Sequence, residues 1–119
     1  MSDYNRRLGQ YGEQLAAQFL IKRGCLIIAK NFRTRFGEID LIAQAGDEIL
    51  FVEVKTRTAS TFGYPEYAVD HQKISHLVQA ARAYLEQNSL NSVWRLEIIS
   101  IELNKQAKTA KIKRFQTDY

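Results

Sequence analysis

The sequence predicts an α/β domain in which a mixed sheet of about five strands is flanked by helices, in the order αβββαββ. Two segments repeat apolar residues at helical spacing. Two β-rich runs flank a Gly46-Asp47 pair, a good two-residue hairpin turn. Further strand-like runs precede the first of these and follow the second helical segment. That order around one sheet requires strands of mixed direction.

The elements follow in turn. A first helix is expected from Tyr4 to Arg23, where Leu8, Tyr11, Gly12, Leu15, Ala16 and Phe19 form an apolar stripe. Lys22, Arg23 and Gly24 supply its terminal charge and cap. Cys25 to Lys30 reads as a short strand. Gly37 to Ala43 and Glu48 to Lys55 are the two arms of the hairpin. A polar loop, Thr56 to Tyr64, leads to a second helix over His71 to Gln87. Asp70 suits its N-cap, with Val69 and Ile74 placed as a hydrophobic staple. Val93 to Glu102 is a fourth strand, and Ala110 to Phe115 a fifth, at an edge.

With 119 residues, the chain is expected to be a single domain over 1–119. Its apolar fraction of 45%, charged fraction of 25% and one proline are those of a folded globular protein. No run approaches the roughly 20 apolar residues of a membrane-spanning helix, and the first residues lack the apolar core of a secretory signal. Cys25 is the only cysteine, which excludes an intramolecular disulfide and a cysteine metal cluster. A cytoplasmic protein with no membrane partner is the expectation.

The formal net charge of +4 is mild, and its distribution says more. Lys30-Asn31-Phe32-Arg33-Thr34-Arg35-Phe36 interleaves cations with aromatics, and Lys105 to Arg114 is basic without an acid. Both fit phosphate neutralisation and base stacking. They equally fit a solvated loop and a charged edge strand that discourages aggregation.

The hairpin places chemistry. With Gly46-Asp47 as its loop, Ala45 faces Glu48, Ile42 faces Phe51, Asp40 faces Glu53 and Glu38 faces Lys55. Alternation then puts Glu38, Asp40, Glu53 and Lys55 on one side, with Ile39, Leu41, Leu50, Val52 and Val54 packing a core on the other. Carboxylates opposed at ~5 Å share a proton or bind a cation. Oxygen ligands suit a hard ion, magnesium or manganese (Mg2+ or Mn2+). Lys55 would orient a water or offset charge on a phosphate. The same residues also read as an exposed face with one Glu38–Lys55 ion pair and two solvated acids.

An acid on the first helix, a distant Asp, and Glu-x-Lys on the next strand form a pattern that resembles the PD-(D/E)XK nucleases. GQYGEQLAAQFL, NFRTRFGEIDLIA, FVEVKTR, FGYPEYAVD with Lys73, and WRLEIISI look like the YraN family of uncharacterised bacterial proteins, which is similar to archaeal Holliday-junction resolvases. The resemblance runs from about Asn5 to Ile101. It implies a restriction-endonuclease-like core, with Asp40, Glu53 and the Val54 carbonyl as metal ligands. Lys55 would position or activate water, and Glu13 would complete the acidic site. Ile39 stands where the pattern has proline before the aspartate, and Glu97 where this family is expected to carry aspartate.

Glu13 lies on the flank of its helix's apolar stripe, where periodicity alone makes it a solvated side chain. Gly9, Gly12 and Ala16 beside it form a small-residue strip that would let the helix approach the sheet. Arg33, Arg35, Arg57 and Lys73 are candidate phosphate-binding residues, each also readable as a solvated cation. His71 and His76 point in different directions, and no glycine-rich phosphate loop occurs. The expected function is a Mg2+- or Mn2+-dependent endonuclease acting on DNA, with branched or structured DNA by family analogy. The alternatives are a nucleic-acid-binding module that keeps the nuclease fold without cleavage, and a protein-interaction domain. A homodimer would suit paired cuts in opposite strands.

Overall fold

The computed structural model describes residues 3–58 and 71–119. Its elements are α1 (Asp3–Lys22), β1 (Leu26–Thr34), β2 (Gly37–Ala45), β3 (Glu48–Thr58), α2 (His71–Gln87), β4 (Trp94–Asn104) and β5 (Thr109–Gln116). The strands form one sheet in the order β1-β2-β3-β4-β5, antiparallel except for the parallel β3–β4 pair that α2 connects. The α/β class, the mixed sheet and the order αβββαββ are as the sequence predicts. The segment around Asp70, with its expected cap and staple, and FGYPEYAVD lie outside the described residues.

Two strands run further than their apolar residues suggest. β1 continues past Lys30 because Lys30, Phe32 and Arg33 pair with Leu41, Ile39 and Glu38 of β2. Much of the cation–aromatic stretch is therefore edge strand and not loop. β3 continues past Lys55 because Thr56, Arg57 and Thr58 pair in parallel with Ile101, Glu102 and Leu103.

The expectation of a single buried hairpin face needs correction. Helices cover both faces of the sheet, as parallel pairing requires, and Ile49-Leu50-Phe51-Val52 is accordingly a continuous apolar run. Leu41, Leu50 and Val52 pack under Ala16, Ala17 and Leu20 of α1. Ile42, Ile49 and Phe51 pack under Leu77, Val78, Ala81 and Leu85 of α2, and Ile39 joins this second cluster, not the first. Burying each large apolar side chain contributes about 1.5–3 kcal/mol. Phe32, Phe51, Tyr84 and Trp94 tie α2 to the sheet through edge-to-face contacts with centroids 5.1 to 5.8 Å apart.

Local backbone chemistry sets the joints. Gly46 takes a φ of +62° in the two-residue β2–β3 turn, a conformation that costs glycine little. α1 closes with Cys25 N–H donating to the Leu20 carbonyl and Gly24 N–H to that of Ile21, the paired bonds of a Schellman cap. Gly12 marks where α1 touches β3, since a Cβ there would lie 1.7 Å from Thr56 Oγ1. Gly9, expected to share that role, faces open space.

Glu97 is a fully buried carboxylate on β4. Its Oε1 accepts a 2.6 Å bond from Arg114 Nε of β5, and Arg95 Nη2 stands 3.3 Å from its Oε2. That hydrogen bond raises the Arg114 pKa above its ordinary value. Glu97, without a role in the sequence reading, is the anchor that ties the edge strand β5 to β4.

Two stability effects follow. Gly12→Ala should lower stability by about 1–3 kcal/mol through overpacking, with part recovered by Thr56→Ala, whereas Gly9→Ala should raise it by up to ~1 kcal/mol. Urea unfolding of the four proteins checks the opposite signs. Glu97→Ala takes the carboxylate from Arg114 and leaves Arg95 with Glu48 at 3.6 Å; because both guanidiniums are partly exposed, the loss should sit near the low end for a broken buried pair, about 3 kcal/mol.

Candidate active site

The β2–β3 ladder runs from Ala45–Glu48 to Leu41–Val52 and stops there. Asp40 and Glu53 are the next residues, so the strands part where the two acids stand. The Asp40 carboxylate fills the gap: its Oδ2 accepts a 2.8 Å bond from the Val54 N–H. Regular cross-strand pairing of Asp40 with Glu53 was expected and is replaced by this side-chain bridge. The acids are nevertheless brought together, close enough for a hydrogen bond between their side chains.

Electrostatics at this point are unusual. Glu53 is buried and Asp40 half-buried. Burial, above all, pushes the Asp40 pKa from its ordinary 3.8 up to about 8; the Glu53 charge and hydrogen bond and the nearby Glu13 charge push the same way, against the Val54 N–H. At neutral pH the pair therefore holds a proton or calls for a cation.

Each neighbouring side chain has a structural reason to be there. Asn31 has a φ of +51°, a left-handed conformation that asparagine tolerates, between the paired residues Lys30 and Phe32. Its Nδ2 donates a 3.0 Å bond to Glu13 Oε1, holding the α1 carboxylate at the Asp40 side of the sheet. From the other face, the first turn of α2 brings Lys73 Nζ within 3.3 Å of Glu53 Oε2. Glu13, Asp40, Glu53 and Lys73 thus meet toward the carboxyl end of β3, the end where ligands bind in open sheets with parallel strands.

Other sequence candidates lie further out. Lys55 is exposed on β3, two residues beyond Glu53, and Glu38 is paired not with it but with Arg33, at 3.9 Å. The Val54 carbonyl points to the same side as its N–H in an extended strand, toward the gap. Arg33 and Arg35 line a groove of about 530 Å³ between the β1–β2 turn and α2, with Phe32, Phe36 and Arg82. Arg35 stands over the Phe36 ring at 4.9 Å. Arg57 pairs in register with Glu102, at the edge of this region.

Among the described residues, no three His, Cys, Asp or Glu side chains form a ready metal cage. Asn31 and the Lys73–Glu53 pair escaped the sequence reading. Asparagine in a basic strand signals a left-handed residue only weakly. Lys73 gave a clearer signal, since the first turn after a parallel crossover falls near the carboxyl end of the preceding strand.

Residues 12–101, which contain Glu13, Asp40, Glu53, Lys55 and Lys73, match the Uncharacterised protein family UPF0102. The chain belongs to that family. A UPF0102 protein of Syntrophomonas wolfei is 54% identical over 69% of this chain and 71% of its own length. One from Caldanaerobacter subterraneus is 42% identical over 92% of this chain and 91% of its own. One from Pelotomaculum thermopropionicum is 32% identical over the whole of both chains. The family is the one that the motifs around Asp40 and Glu53 resemble. Among the described residues, no helix is long and apolar enough to cross a membrane.

The raised Asp40 pKa carries a signed pH effect. The folded chain binds this proton more tightly than the unfolded one, so its stabilising contribution is complete below pH 3.8 and is lost as pH rises through about 8. Asp40→Asn keeps an oxygen for the Val54 N–H and has no proton to lose. Its Tm should therefore gain on that of the natural protein steadily from pH 4 to pH 8. Parallel pH–Tm curves for the two proteins would contradict this.

Proposed function

We propose that this UPF0102 protein is a divalent-metal-dependent endonuclease of the PD-(D/E)XK type acting on DNA. The observation that carries the reading is the Asp40–Glu53 carboxyl pair, set where the β2–β3 ladder stops and backed by Glu13. The donor set fits magnesium or manganese, which bind through one or two carboxylates and keep several waters. Asp40 and Glu53 would hold the ion, with the Val54 carbonyl beside them. Bound there, it would supply Lewis-acid polarisation of a phosphoryl oxygen and a more acidic water.

The chain's own residues account for the rest. Asp40 would have to give up its proton for an ion to bind there, so apparent metal affinity would rise with pH up to about 8. Lys55 orients the attacking water or offsets charge growing on the phosphate. Water attacks phosphorus in line and loses a proton to solvent, the bond from phosphorus to the leaving oxygen breaks, and that oxygen takes up a proton from solvent to leave as a hydroxyl. Lys73 and Arg57 serve neighbouring phosphates, and the cation–aromatic groove of Arg33 and Arg35 receives the backbone further away. Similarity to archaeal Holliday-junction resolvases makes branched DNA the substrate to try first, and a homodimer would deliver paired cuts.

A second reading is favoured by one contact. Lys73 already gives Glu53 a counter-ion, as a non-catalytic nucleic-acid-binding module with this fold would need. Cleavage of branched, flapped, single-stranded and duplex DNA with magnesium or manganese separates the two. Asp40→Asn and Glu53→Gln should each slow cutting by roughly a hundredfold or more. Activity that survives both changes overturns the proposal, and binding without cutting by any substrate–metal combination supports the module.

A further inference from the structure

The first turns of α1 and the β4–β5 turn enclose a groove of about 620 Å³, well within the range of ligand sites. Tyr4, Leu8 and Tyr11 line one wall, at the spacing that puts them on one side of a helix. Leu103 and Ala110, paired across β4 and β5, form part of the other. Arg7, Lys105 and Lys108 add positive charge, and among the described residues no acidic side chain lines the groove.

Its aromatic content is costly to leave in water. Tyr4 and Tyr11 are about half exposed, at 45% and 51%. Lys105 Nζ stands 4.6 Å from the Tyr4 ring centroid, a cation resting on an aromatic face. Arg7 has Asp3 at 3.7 Å, but both side chains are mostly exposed, which leaves that pair weak. Two half-exposed rings, Tyr4 with Lys105 on one face, among three cations form a surface for a ligand with flat apolar faces and regularly spaced negative charge.

We infer that this groove binds unpaired nucleic acid, with nucleobases stacked on Tyr4 and Tyr11 and phosphates at Arg7, Lys105 and Lys108. Duplex DNA keeps its bases stacked inward and offers only its phosphates, so the tyrosines select for a single strand. Glu13 lies on the same helix, but two residues beyond Tyr11 puts it about 200° round the axis, so the groove and the candidate site stand on different sides of α1. Every lining residue falls outside residues 12–101, the stretch matched to the UPF0102 family. The inference rests on reading the chain as a nucleic-acid protein, and not on cleavage.

The test uses the full chain, without divalent ions, and a short fluorescein-labelled oligothymidylate followed by anisotropy across a salt series. Tyr4→Ala with Tyr11→Ala should weaken binding at least roughly tenfold, whereas the two Tyr→Phe changes should leave it near that of the natural protein. Lys105→Ala with Lys108→Ala should flatten the slope of log affinity against log salt by about 1.4, at ~0.7 per phosphate contact. Oligothymidylate should also protect Tyr4 and Tyr11 of the natural protein from nitration, which serves if a variant fails to fold. Affinity indifferent to both tyrosines, together with unprotected rings, overturns the inference; so does equal protection by phosphatidylserine vesicles. A chain that cuts DNA but binds without regard to Tyr4 and Tyr11 keeps the proposed function and loses the groove. One that cuts nothing but shows the tyrosine dependence does the reverse.

Discussion

β3 is enclosed on four sides: β2 and β4 bond its edges, and α1 and α2 cover its faces. A carboxylate in the middle of such a strand is largely cut off from water. Glu53 occupies that position, and the chain sets Asp40 beside it instead of a neutral residue. Sheet pairing itself gives way there, since the β2–β3 ladder ends one residue short of both acids. The parting of the strands, the Asp40 bridge to Val54 and the raised Asp40 pKa share one cause, two acids assigned to a site with solvent for less than one.

Close packing of α1 gives the site its third acid. Gly12 lets the helix rest against Thr56, and Glu13 is the next residue, so the position that removes a side chain also fixes where the carboxylate stands. Asn31 completes the placement from β1. On the other face, α2 both buries Phe51 and delivers Lys73 to Glu53, because its first turn must start near the end of β3 that it follows. Core packing and site assembly are carried by the same contacts.

Much of this was legible in the sequence because it depends on short-range pattern. The Gly46-Asp47 turn set the β2–β3 register as far as Leu41–Val52, and continuing it by one residue put Asp40 beside Glu53, although the ladder itself stops short of them. Features fixed by long-range contact were not legible. Ile39 changes faces near the point where β2 leaves β3, a departure that strict alternation does not anticipate. Glu97 looked like an idle acid until β5 supplied Arg114 from seventeen residues away. Extension of β1 through a basic stretch likewise depends on β2 accepting its pairing, not on apolar residues of its own.

Glu97 is also the internal standard against which the Asp40–Glu53 pair can be judged. Both Glu97 and Glu53 are buried on adjacent central strands, and Val52, the residue before Glu53, pairs with Glu97. For Glu97 the fold provides two guanidiniums, one at 2.6 Å, which is how a buried charge is held for structural ends. Among the described residues, Glu53 receives one ammonium, at 3.3 Å from a side chain 45% exposed, and with it a second carboxyl and a third nearby acid. Adding acids to a buried acid costs stability, and the cost falls as soon as a divalent cation binds. One buried glutamate of the sheet thus faces two guanidiniums and the next faces a second carboxyl, and this electrostatic contrast is the ground for the cation site proposed above.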